Sequence, residues 1–473
     1  MADYVSLAGV SAAAALLTFI RLGEPRALMF DETYYAKDAC WYVEASKQLC
    51  ETGAEQTTVH PPLGKWLIGL GIKVFGYDSF GWRISAAVAG VGCVLLLFIL
   101  GRILLASTIG AVVAAGLLAI DPLSFVQARI AMLDVFVAFF GLAAFTFVVI
   151  DRAAAKRLRG ASARPWLAGA GIAAGAAFAS KWSGALVIAA VVALTLGWEW
   201  GSRRRIASAP ARRRAAPLLT WLVIAPLVTY ALTYLGRFEG RLLAAPWGPE
   251  SWFRQLWDRQ LEMFHFHSTL EATHPYQSPP WSWPLLKRPV SYFFEAPGGD
   301  YREVLAVGSP LVWTAAFIAL IWLAVRWLGR RDSGAPEGVI LAGFLFSWAP
   351  WLVLAGDRSA VFLFYMLPSV PFMCLAIGRA AARLVALKSG RPLVMAFAAG
   401  AVGVFVWLYP LLAAVAIPEE DWRNRIWIFD DCDKPKAVET RTTVTETRAE
   451  KTIERTRRTR SADDLPPEGW CWI

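Results

Sequence analysis

The chain has 473 residues, 57% of them hydrophobic and only 18% charged, with a formal net charge of +10 at pH 7. Soluble domains carry about a quarter charged residues; here the apolar residues fall in long runs, which excludes an ordinary soluble enzyme and places the chain in a membrane. The basic excess is not a nucleic-acid footprint, because it sits in short connections between the apolar runs rather than on one continuous surface.

A hydrocarbon core about 30 Å thick needs roughly 20 apolar residues per helix. The first run, residues 4–20, has only Met1-Ala2-Asp3 ahead of it, lacks the basic region of a cleaved signal, and reads as a permanent span. Further runs lie at 84–104, 107–120, 135–150, 165–180, 184–200, 216–235, 304–328, 339–355, 360–381 and 392–417, giving about eleven spans, of which 107–120 is short enough to be tilted or partly buried. The fold class expected is therefore an all-α polytopic membrane protein.

Basic clusters mark alternate connections. Arg152, Lys156, Arg157, Arg159 and Arg164 form the first, and Arg203 to Arg205 with Arg212 to Arg214 the second. Arg326, Arg330 and Arg331 form the third, and Arg379, Arg383, Lys388 and Arg391 the fourth. Cytoplasmic loops carry such an excess, so the N-terminus is expected inside the cell. Segments 21–83, 121–134, 180–184, 237–303 and 356–359, and the tail after 417, are then expected outside. This divides the chain into a membrane domain over 1–417, with a first external loop at 21–83 and a second at 236–303, and an external tail over 418–473.

In the first external loop, residues 31–50 are polar and compatible with a helix. Residues 63–75 form an amphipathic stretch suited to lie along the membrane surface, with Pro61-Pro62 as its start or kink. The second loop is rich in Trp, Pro and His; all four histidines, His60, His265, His267 and His274, fall in external segments. In the tail, 434–460 is dense in Thr, Arg and Glu and cannot bury a core alone, so weak order is expected there. Cys93 and Cys374 lie inside spans, whereas Cys40, Cys50, Cys432 and Cys471 are external, where disulfides persist. On one continuous helix Cys40 and Cys50 would stand about 15 Å apart, too far to bridge. That favours Cys432 with Cys471, unless a loop interrupts the first pair.

The residues that look chemical share the outer face. FDETYYAKDA, residues 30–39, sets Asp31 and Glu32 beside two tyrosines just beyond the first span. VHPPLGKW, residues 59–66, lies in the same loop, and Arg83 stands at the second span. DPLSFVQARIAMLD, residues 121–134, puts Arg129 and Asp134 at a membrane edge, where ionisable groups are costly unless paired or functional. A plain structural salt bridge would also account for those two. Lys181, in SKWSG, is a cation between two apolar spans, a place that snorkelling alone explains.

Taken in order, FDETYYAKDA, VHPPLGKWLIGLGIKVFG, ARIAMLDVFVAFF, SKWSG, HPYQSPPWSWP and FLFYMLPSVPF resemble the protein O-mannosyltransferase family, in its actinobacterial form, from about residue 30 to about residue 427. The resemblance implies the membrane glycosyltransferase fold called GT-C and a donor in which mannose is carried on a polyprenyl or dolichyl monophosphate. The acceptors it implies are Ser and Thr hydroxyls of exported proteins, and its surroundings membrane lipids. It assigns Asp31 and Glu32 as the catalytic acidic pair, with Asp31 the base. The substrate-binding set is His60, Lys65, Arg83, Arg129, Asp134, Lys181, His274, Arg358 and Tyr365. Two departures stand out: no β-trefoil domain fits into the second external loop, and the His-Tyr of eukaryotic members reads Tyr365-Met366 here.

The chemistry needs little beyond these groups. A phosphate-linked sugar already has a good leaving group, so one carboxylate that accepts the acceptor's proton supports a single inverting displacement, unlike the two carboxylates of a glycosidase. Lys181 and Arg358, with Arg129 behind them, are the cations suited to the departing phosphate. Asp31, Glu32 and the histidines are oxygen and nitrogen donors that a divalent metal could use, but no zinc-type ligand spacing occurs, so no metal or other cofactor is expected. A transferase using a lipid-linked pentose or aminosugar, with a lipid or glycan acceptor, is the nearest alternative. A transporter is the remoter one, because the ionisable residues gather at one face rather than at the midplane.

Overall fold

The computed structural model describes residues 2–44, 46–157, 164–203, 216–236, 249–270, 274–330, 336–356, 360–387, 389–426, 443–448 and 451–456. Eight described helices are long and apolar enough to cross a membrane, and three shorter apolar helices accompany them.

The first apolar helix, α1 (Ala2–Phe19), leads into α2 (Glu32–Glu44), α3 (Lys47–Cys50) and α4 (Leu63–Phe75). Next come α5 (Ser79–Leu105), α6 (Thr108–Ile120), the short α7 (Pro122–Gln127), α8 (Asp134–Arg157), α9 (Pro165–Ser180) and α10 (Ala185–Arg203). The apolar helix α11 (Ala216–Leu232) includes a π-helical turn at Thr220–Ile224 and is followed by α12 (Pro249–Thr269). Three apolar helices close the bundle: α13 (Pro310–Arg330), α14 (Pro336–Trp348) and α15 (Val370–Leu384), with α16 (Gly390–Leu412) packed beside them. α8 packs on both α5 and α9, and α6 lies between α5 and α15, so the buried face of each helix is covered by neighbours rather than by lipid.

Two amphipathic helices, α4 and α12, each bury one face. α4 has the bounds read from the sequence and turns Trp66, Ile68 and Ile72 inward while Leu70, Val74 and Phe75 stay exposed. α12 packs Trp252 and Met263 against Tyr230 and Tyr234 and exposes Phe253, Trp257, Leu261 and Phe264, spaced as one helix face. Such a stripe suits a lipid interface.

Several expectations are corrected. The helices are joined by a small sheet: β1 (Val290–Glu295) pairs antiparallel with β2 (Asp300–Ala306), which also meets β3 (Ile417–Pro418). The run expected as a span from 304 therefore begins as strand, and its helix starts only at Pro310, after Ser309 turns its hydroxyl to accept from Val312 N. The run from 360 opens as a 3-10 turn, Leu363–Ser369, because Pro368 and Pro371 remove amide donors that an α-helix would need. The run from 392 ends as helix at Leu412.

In the tail, Thr443–Arg448 pairs with Lys451–Thr456 as a hairpin where weak order was expected. Both segments are rich in Thr with a Val or an Ile, β-branched residues that suit a strand. Cys432 and Cys471 lie outside the described residues. Cys40 is bonded to Cys50, their Cα atoms 5.4 Å apart. The helix is not continuous between them: α2 stops at Glu44, and Ser46 caps α3 by accepting from Leu49 N, which turns the chain back on itself.

Candidate active site

The loops at one end of the bundle bring together Asp31, Tyr35, Asp134, Lys181 and Tyr365, although they span most of the chain. Asp31 precedes α2 and is partly exposed; Tyr35, one helical turn on, is buried and donates its hydroxyl to Asp31 Oδ2 at 3.3 Å. Burial of the carboxylate pushes its pKa up to about 6, against the pull of the Lys181 charge and the Tyr35 hydrogen bond; the negative charge of Asp134 pushes the same way as burial.

Lys181 follows α9 in extended conformation and opens the 3-10 turn Trp182–Gly184. That turn is tight: a Cβ on Gly184 would lie 2.2 Å from the Ala177 carbonyl carbon, so only glycine lets α9 and α10 meet at this angle. The Lys181 ammonium donates to Asp134 Oδ1 at 3.0 Å and Oδ2 at 2.9 Å, and lies 4.5 Å from the centre of the Tyr365 ring. Asp134 opens α8, where a negative side chain is favoured by the helix dipole. Lys181 is thus not the isolated cation of the sequence reading, and Asp134 is paired with it rather than with Arg129.

Aromatic rings wall the site. Phe30 lies within 6 Å of the rings of His274, Tyr292, Phe362 and Phe364. Tyr365 packs on Trp351, 4.8 Å between centres. His274 is set by its own loop, accepting from Tyr276 N at Nδ1. On the other side the His60 ring lies 5.9 Å from Tyr35 and 5.6 Å from His267, whose ring nitrogen meets Val59 O at 2.9 Å.

The other residues singled out from the sequence have different surroundings. Glu32, grouped with Asp31, is fully buried, with Oε1 accepting from Arg83 Nε and Ala131 N, and Oε2 from Arg83 Nη2 and Met29 N. Arg83 spends its remaining donors on the carbonyls of Leu22, Pro25 and Ala27. Arg129 caps the end of α1, donating to the carbonyls of Leu17, Thr18, Ile20 and Arg21, which lack partners within the helix. Lys65 is fully buried and bridges Asp38 at 2.8 Å, Glu55 at 3.0 Å and the carbonyl of Thr57. These four residues fasten the loops that carry Asp31 and His60. Arg358 lies outside the described residues.

Sequence reasoning missed Tyr35 as the partner of Asp31 and Tyr292 as a wall, held by a hydrogen bond from Gln127 at 2.6 Å. The second tyrosine of FDETYY was in view, one helical turn from Asp31. Among the described residues, no group of three or more His, Cys, Asp and Glu is arranged as a metal site.

Known proteins agree with this architecture. The family described as dolichyl-phosphate-mannose-protein mannosyltransferase matches residues 59–230, and that described as the C-terminal four TMM region of protein-O-mannosyltransferase matches residues 252–430. The polyprenol-phosphate-mannose–protein mannosyltransferase of Mycobacterium tuberculosis is 30% identical over 472 residues, covering 88% of this chain and 89% of its own. The protein of the same name from Mycolicibacterium smegmatis is 30% identical, covering 89% and 91%. Among solved structures, the Saccharomyces cerevisiae protein O-mannosyltransferase Pmt1-Pmt2 complex bound to the sugar donor shares the fold, with a TM-score of 0.77, 16% identity and coverage of 90% and 92%. ArnT from Cupriavidus metallidurans aligns with a TM-score of 0.56 at 19% identity, covering 86% of this chain and 65% of its own.

Proposed function

Because the chain belongs to the protein O-mannosyltransferase family, we propose that it moves mannose from a polyprenyl or dolichyl monophosphate carrier to Ser and Thr hydroxyls of exported proteins. The observation that carries the mechanism is the presence, at one end of the bundle, of the Asp31 carboxylate, raised to about 6, near a buried Lys181 ammonium that Asp134 holds. The acceptor oxygen attacks the anomeric carbon as its proton passes to Asp31. The bond from that carbon to the phosphate oxygen breaks, and its electron pair leaves with the lipid phosphate. One displacement inverts the centre.

Lys181 has three N–H groups. Two are turned to Asp134, which leaves a third for a phosphate oxygen whose charge grows as the bond breaks. Arg358 remains the second candidate for that phosphate. The aromatic wall of Phe30, Tyr292, Phe364 and Tyr365 suits the apolar faces of a sugar ring. Glu32, Arg83, Arg129 and Lys65 act as the scaffold that fixes the loops. An apolar groove beside α9, lined by Trp66, Leu70, Trp221 and Val228 among others, has the character of a bed for a hydrocarbon chain.

The basic residues Arg164, Arg330, Arg379 and Arg391 lie at the helix ends away from Asp31, which supports a cytoplasmic N-terminus and an extracytoplasmic site.

The test uses the purified protein in lipid nanodiscs with mannosyl-phospho-polyprenol and a Thr-rich peptide. Mannosylated peptide of inverted anomeric configuration is expected. Transfer only from a pentose or aminosugar carrier, or only to a lipid or glycan, would replace this reading. With the same substrates, Lys181→Ala should raise KM for the lipid donor at least about tenfold, the scale of one lost charge-assisted hydrogen bond, with the peptide KM little changed. An effect confined to the peptide would remove Lys181 from the phosphate.

A further inference from the structure

The surroundings of Asp31 raise a question of partners. A carboxylate and an ammonium that share a site in low dielectric ordinarily close into an ion pair, which lowers the carboxylate's pKa by about one to three units. Asp31 and Lys181 do feel each other's charge, yet the hydrogen bonds of Lys181 go to Asp134, and the hydrogen bond that Asp31 accepts from Tyr35 is a long one, 3.3 Å. The competing carboxylate is well placed to win. Asp134 receives the ammonium with both oxygens and starts a long helix, whereas Asp31 stands on the loop before α2. Tyr365 closes over the ammonium and limits its swing.

We propose that Asp134 is a positioning residue that holds Lys181 off Asp31, so that the base stays unpaired for the acceptor's proton while the ammonium stays with the phosphate. The inference rests on Asp31 being the base, as proposed above. The titratable and charged groups around Asp31 are Tyr35 from α2, Asp134 from α8, Lys181 after α9, Tyr365 from the 3-10 turn and Tyr292 from β1, with His60 beyond Tyr35 and His274 beyond Phe30. Among the described residues Lys181 is the one fixed cation in this group, so its position bears on how basic Asp31 remains.

The experiment compares profiles of kcat/KM against pH for the full chain in membrane vesicles, with mannosyl-phospho-polyprenol and a Thr-rich peptide. In Asp134→Asn the freed Lys181 should pair with Asp31. The acid limb should move down by about one pH unit or more, and kcat at neutral pH should fall about tenfold, as the base weakens. In the double variant Asp134→Asn/Lys181→Gln the freed ammonium is gone, and the limb should lie within a few tenths of a unit of that of Lys181→Gln alone. An unmoved limb in Asp134→Asn overturns the proposal. So does a downward move of equal size with Lys181 absent, which would make Asp134 only a source of field. Asp134→Ser gives the same comparison if the asparagine variant does not accumulate. Asp31→Asn, run alongside, separates the two levels. If its residual activity keeps the wild-type acid limb, the base assignment fails, whatever Asp134 does.

Discussion

Replacing Asp31 by Asn should cut kcat by about two to four orders of magnitude, the usual contribution of a general base, while the melting temperature of the detergent-purified protein stays near that of the wild type. The amide keeps the shape of the side chain and can still accept from Tyr35, and no backbone amide of the described residues relies on Asp31 for a side-chain partner. The wild type should show its own signature of the same group. Burial sets the pKa near 6, so the base is proton-free above that value and is lost as pH falls through it. Activity in kcat/KM should therefore rise with pH up to about 6 and then level, until some other group titrates. In Asp31→Asn the rising limb should vanish. Residual activity above about a tenth of wild type, or a limb that survives the substitution, would assign the base elsewhere.

The membrane spans were readable because each is a local property: an apolar run of sufficient length needs no knowledge of its neighbours. The amphipathic α4 was readable for the same reason, its 3.6-residue period being visible within 63–75. The misreadings came where a local rule was outvoted. Hydrophobic residues at 304–306 looked like the start of a span, yet they pair with β1 across a Gly298-Gly299 turn. The turn and Pro310 were both in view. Cys40 and Cys50 looked too far apart because α2 was extended past Glu44; once the helix breaks there, the pair falls into bonding distance.

Site membership and site partnership had different fates. Asp31, Asp134 and Lys181 could each be singled out as ionisable groups at a membrane edge. Which carboxylate receives Lys181 could not be read, because it depends on how α8 and α9 pack over a separation of 47 residues. Arg129 shows the same limit. Five residues from Asp134 it invites a pairing, but the end of α1, more than a hundred residues earlier, takes its donors instead.

Glu32→Ala is expected to be the most destabilising single change near the site, and in a way that separates it from its neighbour Asp31. Arg83 is wholly buried, and its charge is balanced by Glu32 through two contacts of 2.8 Å. Removing one partner of such a pair leaves an uncompensated buried charge and typically costs about 3 to 5 kcal/mol. The alanine also abandons Met29 N and Ala131 N, which tie the loop before α2 to the loop before α8. The variant should lose folded protein at temperatures where wild type persists, as read by size-exclusion profiles after stepwise heating, and activity should fall in step with that loss. Arg83→Met combined with Glu32→Ala should recover part of the stability, because an apolar replacement of both partners removes the stranded charge. Recovery should be incomplete, since the two amides stay without their carboxylate. A Glu32→Ala protein that melts like wild type but turns over at a hundredth of its rate would reverse the assignment and make Glu32 part of the chemistry.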